Sequence, residues 1–291
     1  MIKDPPPFNE DEPPPSYEEA VRPTTRPSGL PRPPVTQNHR PPPSQQQQQQ
    51  QQASQAGPAS AQKATINRQF PPSFSVYREG GFSRNYSLGE HQGQPLYAVR
   101  PHTGWSGQPD LVLHGGPTED FPPLAVLNHE RFSRSFTVTL PPLPGDRLPR
   151  DEFVRFPGLL QSNYTFSVEV DRPGGPRGMR RERFEWRRSH GAEVGRLAGA
   201  SFGWKLVRMA GDTGAAAGAS GGVAGPVAGD GLEVVAVWVK AAMSLSKVLK
   251  FEFTGVGATG DLGERWAVMA VMTALGIWDH DRRQNSNSAA S

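Results

Sequence analysis

From about position 70 the chain alternates apolar and polar residues in short runs bounded by Gly, Pro, Asn and Asp. This is the period-two pattern of strands with one side on a core and the other toward water. It is clearest in Phe132-Ser-Arg-Ser-Phe136-Thr-Val138-Thr-Leu140 and in Tyr164-Thr-Phe166-Ser-Val168-Glu-Val170. The pattern predicts strands over 82–88, 96–100, 111–114, 124–127, 132–140, 153–156, 164–170, 183–188, 202–209, 232–239 and 248–254, each rich in aromatic or β-branched residues. A large antiparallel sheet follows. Two spacers interrupt it: 171–181, rich in Gly, Pro and Arg, and 211–231, almost wholly Gly, Ala, Ser and Val. The second is long for a connection in a compact domain, so a flexible insertion between neighbouring strands is expected there.

One segment departs from this texture. Asp261 and Glu264 stand three apart, as in a capping box with Asp in the Ser/Thr role, and 266–278 is then apolar on every face. Trp266, Val268, Met269, Val271, Met272, Leu275 and Trp278 are the expected core residues of a buried helix. A membrane span is the competing reading, but these residues would give a rod of about 20 Å against a hydrocarbon core of about 30 Å, and both ends are charged. Eleven or twelve strands and one helix without a polar face have a joint solution. A barrel of about twelve strands is too wide for its own side chains to fill, so it takes a plug. The expected fold is therefore mainly β (α+β), a closed antiparallel barrel of about twelve strands around a central hydrophobic C-terminal helix, spanning 71–283 with a short disordered tail over 284–291.

Residues 1–70 have a different composition, with much of the proline, a glutamine run over 45–52 and almost no aliphatic residues. Such a segment cannot bury enough apolar surface to offset chain entropy, and it reads as a disordered tail. Within it lies Asp-Glu-Pro-Pro-Pro-Ser-Tyr-Glu-Glu-Ala, where Pro14, Pro15 and Tyr17 form a Pro-Pro-x-Tyr ligand for a WW domain. Consecutive prolines favour polyproline II, which an aromatic groove binds with little further ordering, while Tyr17 reaches a second pocket. Pro5-Pro6-Pro7-Phe8 lacks the tyrosine and reads as spacer.

Charge adds little to this picture. The formal net charge is +3, with 7 basic and 6 acidic residues in the tail and 24 and 22 in the remainder. That is not the one-signed field of a general nucleic-acid binder. The absence of cysteine excludes disulfides and thiolate metal sites. The amino terminus carries no apolar run of a secretory signal, so an intracellular, cytoplasmic protein is expected, with Asn85-Tyr-Ser87 and Asn163-Tyr-Thr165 unglycosylated. His102, His114, His129, His190 and His280 show no metal-ligand spacing, and no nucleophile elbow, P-loop or dinucleotide fingerprint stands in a strand-to-helix context. Asp279-His280-Asp281 reads as a solvated helix end. No catalytic residue, metal or cofactor is expected.

The one dense charge group is Arg177, Arg180, Arg181, Arg183, Arg187 and Arg188, with Glu182 and Glu185 among them. Alternation places Phe184 and Trp186 inward and Glu185 and Arg187 outward, the pattern of a solvated strand face. Contact of the arginines with phosphate head groups is the functional alternative.

Five stretches, Phe184-Glu-Trp186-Arg-Arg-Ser189, Gly203-Trp204-Lys-Leu-Val207, 234–238, Lys250-Phe251-Glu-Phe253 and the helix over 264–283, make the chain resemble the tubby C-terminal-like superfamily. This is the fold of tubby proteins, phospholipid scramblases and LURP-one-related plant proteins; the chain is most similar to its uncharacterised fungal members over most of 75–283. The resemblance implies a barrel around a hydrophobic C-terminal helix, and phosphoinositide contact through a basic patch. The chain lacks the acidic, calcium-associated segment that scramblases carry ahead of the terminal helix, which argues against calcium-driven lipid movement. The resulting expectation is a non-enzymatic adaptor that joins WW-domain partners, HECT-type ubiquitin ligases among them, to a client or a membrane. The alternative is a scramblase-like phospholipid-handling membrane protein.

Overall fold

The computed structural model describes residues 69–81, 83–102, 106–143, 145–158, 162–171, 179–197, 200–209, 225–241 and 244–288. All lie in the compact unit formed by 64–291. In chain order the strands are β1 (Ser73–Arg78), β2 (Tyr86–Gly89), β3 (Tyr97–Pro101), β4 (Leu111–His114), β5 (Pro123–His129), β6 (Phe136–Leu140), β7 (Arg150–Val154), β8 (Tyr164–Asp171) and β9 (Met179–Ser189). After helix α1 (Ala192–Gly195) come β10 (Gly203–Arg208), β11 (Val234–Lys240) and β12 (Lys247–Phe253), then helices α2 (Gly255–Thr259) and α3 (Glu264–Ser288).

The twelve strands form one antiparallel sheet in the order β7-β6-β5-β4-β3-β2-β1-β12-β11-β10-β9-β8. Its two edge strands meet: Arg155 and Thr165 exchange backbone hydrogen bonds of 2.8 and 2.9 Å, so the sheet is a nearly closed barrel. Alternation decides what faces inward. Phe136, Val138 and Leu140 on β6, and Tyr164, Phe166, Val168 and Val170 on β8, are all buried in one hydrophobic core. A second, smaller core lies on the other side of β10 and β11, where Val207, Val234, Val237 and Val239 pack with Val194 and Leu197 from α1 and its following turn, and with Ala228. The wall of the barrel is therefore buried on both faces at that point, and β11 reads as an unbroken apolar run.

Helix α3 supplies the contents of the barrel. From Trp266 to Asp279 every residue is buried except Ala267, which is half-buried. Its side chains meet strands around the sheet: Trp278 against Tyr86 of β2, Trp266 against Phe184 of β9 and Phe253 of β12, with ring centroids 4.8 to 5.8 Å apart. Gly276 marks the closest approach to the wall, since a Cβ there would lie 2.5 Å from Leu127 Cδ1 and 2.9 Å from Phe136. All seven expected core-helix residues are buried. Among the described residues no helix is long and apolar enough to cross a membrane.

Several boundaries differ from the pattern-based ones. Phe132 does not begin a strand: it sits in the β5–β6 turn with φ 60° and fully exposed, and β6 starts at Phe136. Strand β1 lies ahead of 82, where the pattern predicts no strand, and β2 starts at Tyr86 rather than at 82. Strand β7 lies three residues earlier than expected, because its inward positions are Glu152 and Val154 and the polar start of the strand hid it. Strand β9 begins at Met179, inside the expected 171–181 spacer, and β8 runs through Asp171. Of the expected insertion, 225–231 is ordered: Val234 N–H bonds to Pro226 O, Ala228 N–H to Leu232 O, and Ala228 is buried. Its remainder, 211–224, lies outside the described residues. The capping box does not form. Asp261 accepts the Thr259 hydroxyl at 2.7 Å instead, and Gly263, at φ 84°, turns the chain into α3. The helix continues to Ser288, so 284–288 is helical rather than a tail. Phe70, at the expected end of the tail, is 2% exposed and packs on Tyr97 at 4.8 Å.

Candidate functional site

The helix is held at both ends by charged groups, while its middle carries a single polar contact. In the middle, the Trp186 indole N–H donates to the Thr273 hydroxyl at 2.8 Å, and that hydroxyl donates to Met269 O at 2.8 Å, so the pair is satisfied without water.

At the end where α3 begins, β7 and β8 part beyond the Arg155–Thr165 bridge. Side chains close the gap. Glu152 of β7, 2% exposed, takes Arg181 of β9 at 2.5 Å and Arg265 of α3 at 3.5 Å. Glu169 of β8 takes the same two arginines at 2.8 and 3.2 Å, and Arg265 also donates to Pro141 O at 2.6 Å. Burial pushes the Glu169 carboxyl up, but its backbone hydrogen bond and the two guanidinium groups outweigh this and hold it below the ordinary range. The first turn of the helix is thus latched to the seam of the barrel.

At the opposite end Asp279 is fully buried, and the solvated helix end expected there is absent. Its carboxylate takes His129 Nε2 at 3.1 Å, Arg282 at 2.5 Å and Arg283 at 2.6 Å, while Arg283 continues to Asp110 at 3.1 Å. Asp281 pairs with Lys240 at 2.9 Å. Burial raises the Asp279 carboxyl, yet the His129 hydrogen bond and the two arginines win and lower it to about 2. His280 is lowered as well, for a different reason: burial, then Arg134 and His129, disfavour its charged form. No sequence signal announced this cluster, because His129 and Asp110 lie 150 and 173 residues from the helix groups they meet.

Both shifts make the fold acid-sensitive, in two separate windows. His280 has a folded pKa below its unfolded value, so the unfolded chain takes up the proton first and stability falls as pH drops below about 6.5. Asp279 contributes stability that is complete above its unfolded pKa of about 4 and is lost as pH falls toward about 2. Denaturant midpoints measured against pH are expected to decline in these two windows, and His280→Asn to flatten the first while leaving the second. A midpoint constant from pH 7.5 to 5 in the parent protein would contradict the downward shift of His280.

The arginine group is largely spoken for. Arg180 pairs with Glu182, which also takes Arg208 at 2.6 Å; Arg181 belongs to the seam; Arg187 pairs with Glu185 at 2.9 Å and Asp230 at 2.7 Å. Arg188 stacks over Phe202 and Trp204 at 5.4 and 5.3 Å. Only Arg183 and Arg188 of this group, among the described residues, lack an ion pair, and Arg177 lies outside them, as do Pro14, Pro15 and Tyr17. Alternation holds as read, with Phe184 and Trp186 inside and Glu185 and Arg187 outside. Among the described residues no group of three or more His, Asp or Glu is arranged to hold a metal ion.

Comparison with protein-family models, with curated proteins and with solved structures finds no match to this chain.

Proposed function

We propose that this chain is a non-enzymatic adaptor whose amino-terminal segment binds WW domains through Pro14, Pro15 and Tyr17, and whose barrel belongs to the tubby C-terminal-like group. The observation that carries the first part is the Pro-Pro-Ser-Tyr motif, in which polyproline II and one tyrosine supply both contacts that a WW groove uses. The second part draws support from twelve antiparallel strands in one sheet with a buried terminal helix, the arrangement that the resemblance implies. HECT-type ubiquitin ligases are the WW-bearing partners that this architecture suits, with anionic phospholipid head groups as a second contact of the barrel. The barrel with its tail thus brings such a ligase to a client or a membrane surface inside the cell.

A scramblase-like role needs the terminal helix, or a groove beside it, to meet acyl chains. Latches at both ends of α3, to Glu152 and Glu169 at one and through Asp279 at the other, favour the adaptor. The decisive experiment is a pull-down of the full chain with isolated WW domains. Tyr17→Ala is expected to abolish most of the binding, since it empties the second pocket and leaves the prolines in place, and phosphorylation of Tyr17 is expected to weaken it by adding charge to an aromatic cleft. Unchanged affinity of the alanine variant would remove the motif from the account.

A further inference from the structure

Six strand connections gather at the barrel end from which α3 emerges. Two of them, β5–β6 and β11–β12, lie half a turn apart in the strand order, and each presents one apolar side chain that nothing covers: Phe132 at 107% and Leu245 at 102% relative exposure. Neither tip is loose. Around Phe132, Ser135 N–H donates to Ser133 Oγ at 3.0 Å, Glu130 N–H to Ser135 O at 3.0 Å, and Phe156 N–H to Ser135 Oγ at 3.0 Å. Around Leu245, Lys247 N–H donates to Ser244 Oγ at 2.9 Å and Arg78 N–H to Ser246 O at 2.8 Å. Phe132 also holds a left-handed φ of 60°, unfavourable for a bulky residue, at a position where its ring gains no packing. A braced turn that keeps an aromatic ring wholly in water and in a strained backbone is held there by the rest of the fold, and strain of this kind points to a function.

Charge at this end indicates what that is. Its carboxylates are mostly consumed internally, Asp110 and Asp279 by Arg283 and Asp281 by Lys240. By contrast Arg84, Arg131, Arg155 and Arg188 are exposed and, among the described residues, have no ion pair. The opposite end also shows apolar side chains, Leu148 and Val227 among them, but its connections carry Asp120 and Asp261, exposed and without an ion pair among the described residues, which repel an anionic surface; Glu119, Asp146 and Asp230 there are paired with arginines. We propose that the end bearing Phe132 and Leu245 docks on an anionic phospholipid membrane, the two tips entering the interface while these four arginines face the head groups. This rests on the lipid-contacting part of the function proposed above, and it moves the contact from the length of β9 to the barrel end, keeping Arg188 alone of the β9 arginines. Insertion is shallow, because α3 leaves through the same end and its exposed Gln284, Asn285 and Ser286 are polar and belong at head-group level.

The test is co-sedimentation of the full chain with vesicles of phosphatidylcholine and phosphatidylserine, with phosphatidylcholine alone as the neutral control. Wild type is expected to bind the anionic vesicles in a salt-sensitive manner. The pair Phe132→Ser and Leu245→Ser removes two fully exposed side chains, leaves thermal stability unchanged, and is expected to weaken binding about tenfold or more. Arg84→Gln with Arg131→Gln is expected to weaken it on the order of tenfold and to reduce its salt dependence. Leu148→Ser with Val227→Ser, at the other end, is expected to do nothing. Undiminished binding of the Phe132/Leu245 variant, or a loss confined to Arg183→Gln, overturns this assignment while leaving lipid contact in place. A wild type that ignores both vesicles overturns lipid contact as well, and the WW-domain pull-down then still stands by itself.

Discussion

A carboxylate placed at Val271 or Leu275 is expected to unfold the domain. Both side chains are 1% exposed in the middle of α3, and the core residues around the helix are aromatic and aliphatic. Among the described residues an Asp there finds no cation: the arginines that meet the helix sit at its two ends, Arg265 in the first turn and Arg282 and Arg283 after Asp279. The cost of an uncompensated buried charge is about 3 to 5 kcal/mol, a large part of the stability of a domain this size. Val271→Asp and Leu275→Asp are therefore expected to express as insoluble chains or as chains without a cooperative thermal transition. Removal of 262–291 is expected to have the same outcome, because the inward faces of the strands lose what they pack against. A monomeric truncation with dispersed amide resonances would show that the barrel closes without its helix and would return the scramblase-like reading to consideration.

The second large effect is expected at the seam. Arg265→Ala leaves Glu152, whose side chain is 3% exposed, with Arg181 alone, and removes the cross-link from α3 to β7, β8 and Pro141 O. Loss of one partner from a buried ionic group costs about 3 kcal/mol, most of it the penalty of a carboxylate left short of cations. The effect has a location: amide exchange is expected to accelerate along β7 and β8, whose mutual pairing among the described residues is the Arg155–Thr165 bridge. Combining Arg265→Leu with Glu152→Leu is expected to recover much of the stability, since an apolar pair can replace a buried ion pair at little cost, while Glu169 keeps Arg181 and Arg150. A double variant no more stable than Arg265→Ala would mean that packing of the arginine stem, not charge, holds the seam.

The misplaced elements share a cause. Phe132-Ser-Arg-Ser-Phe136 alternates like a strand, yet the alternation is satisfied equally by a turn whose Phe is outside and a strand that begins at Phe136; only pairing of β6 with β5 and β7 separates the two. Strand β7 differs from its expected position for the converse reason. A buried carboxylate at Glu152 looks like a solvent-facing residue until Arg181 and Arg265 are brought to it from 29 and 113 positions away along the chain. The arginines of β9 form one cluster in the sequence, but adjacent strand positions point to opposite faces and their carboxylate partners come from β7, β8, β9 and the turn before β11, so the cluster dissolves into separate pairs.

What the sequence determined by itself was whatever depends on local period: the antiparallel strands with Phe166, Phe184 and Trp186 inward, and a helix that must be buried because no face of 266–278 is polar. What only the tertiary structure decided was the company each charge keeps. Asp279 follows an apolar run and looks like the point where the helix meets water, but His129 from β5 and Arg282 and Arg283 from the next turn of α3 surround it and leave it with no exposure. A side chain's burial in an apolar stripe follows from its neighbours three and four residues away. An ionised group's burial depends on cations whose positions are set by strand pairing across the whole barrel, and no local pattern contains them.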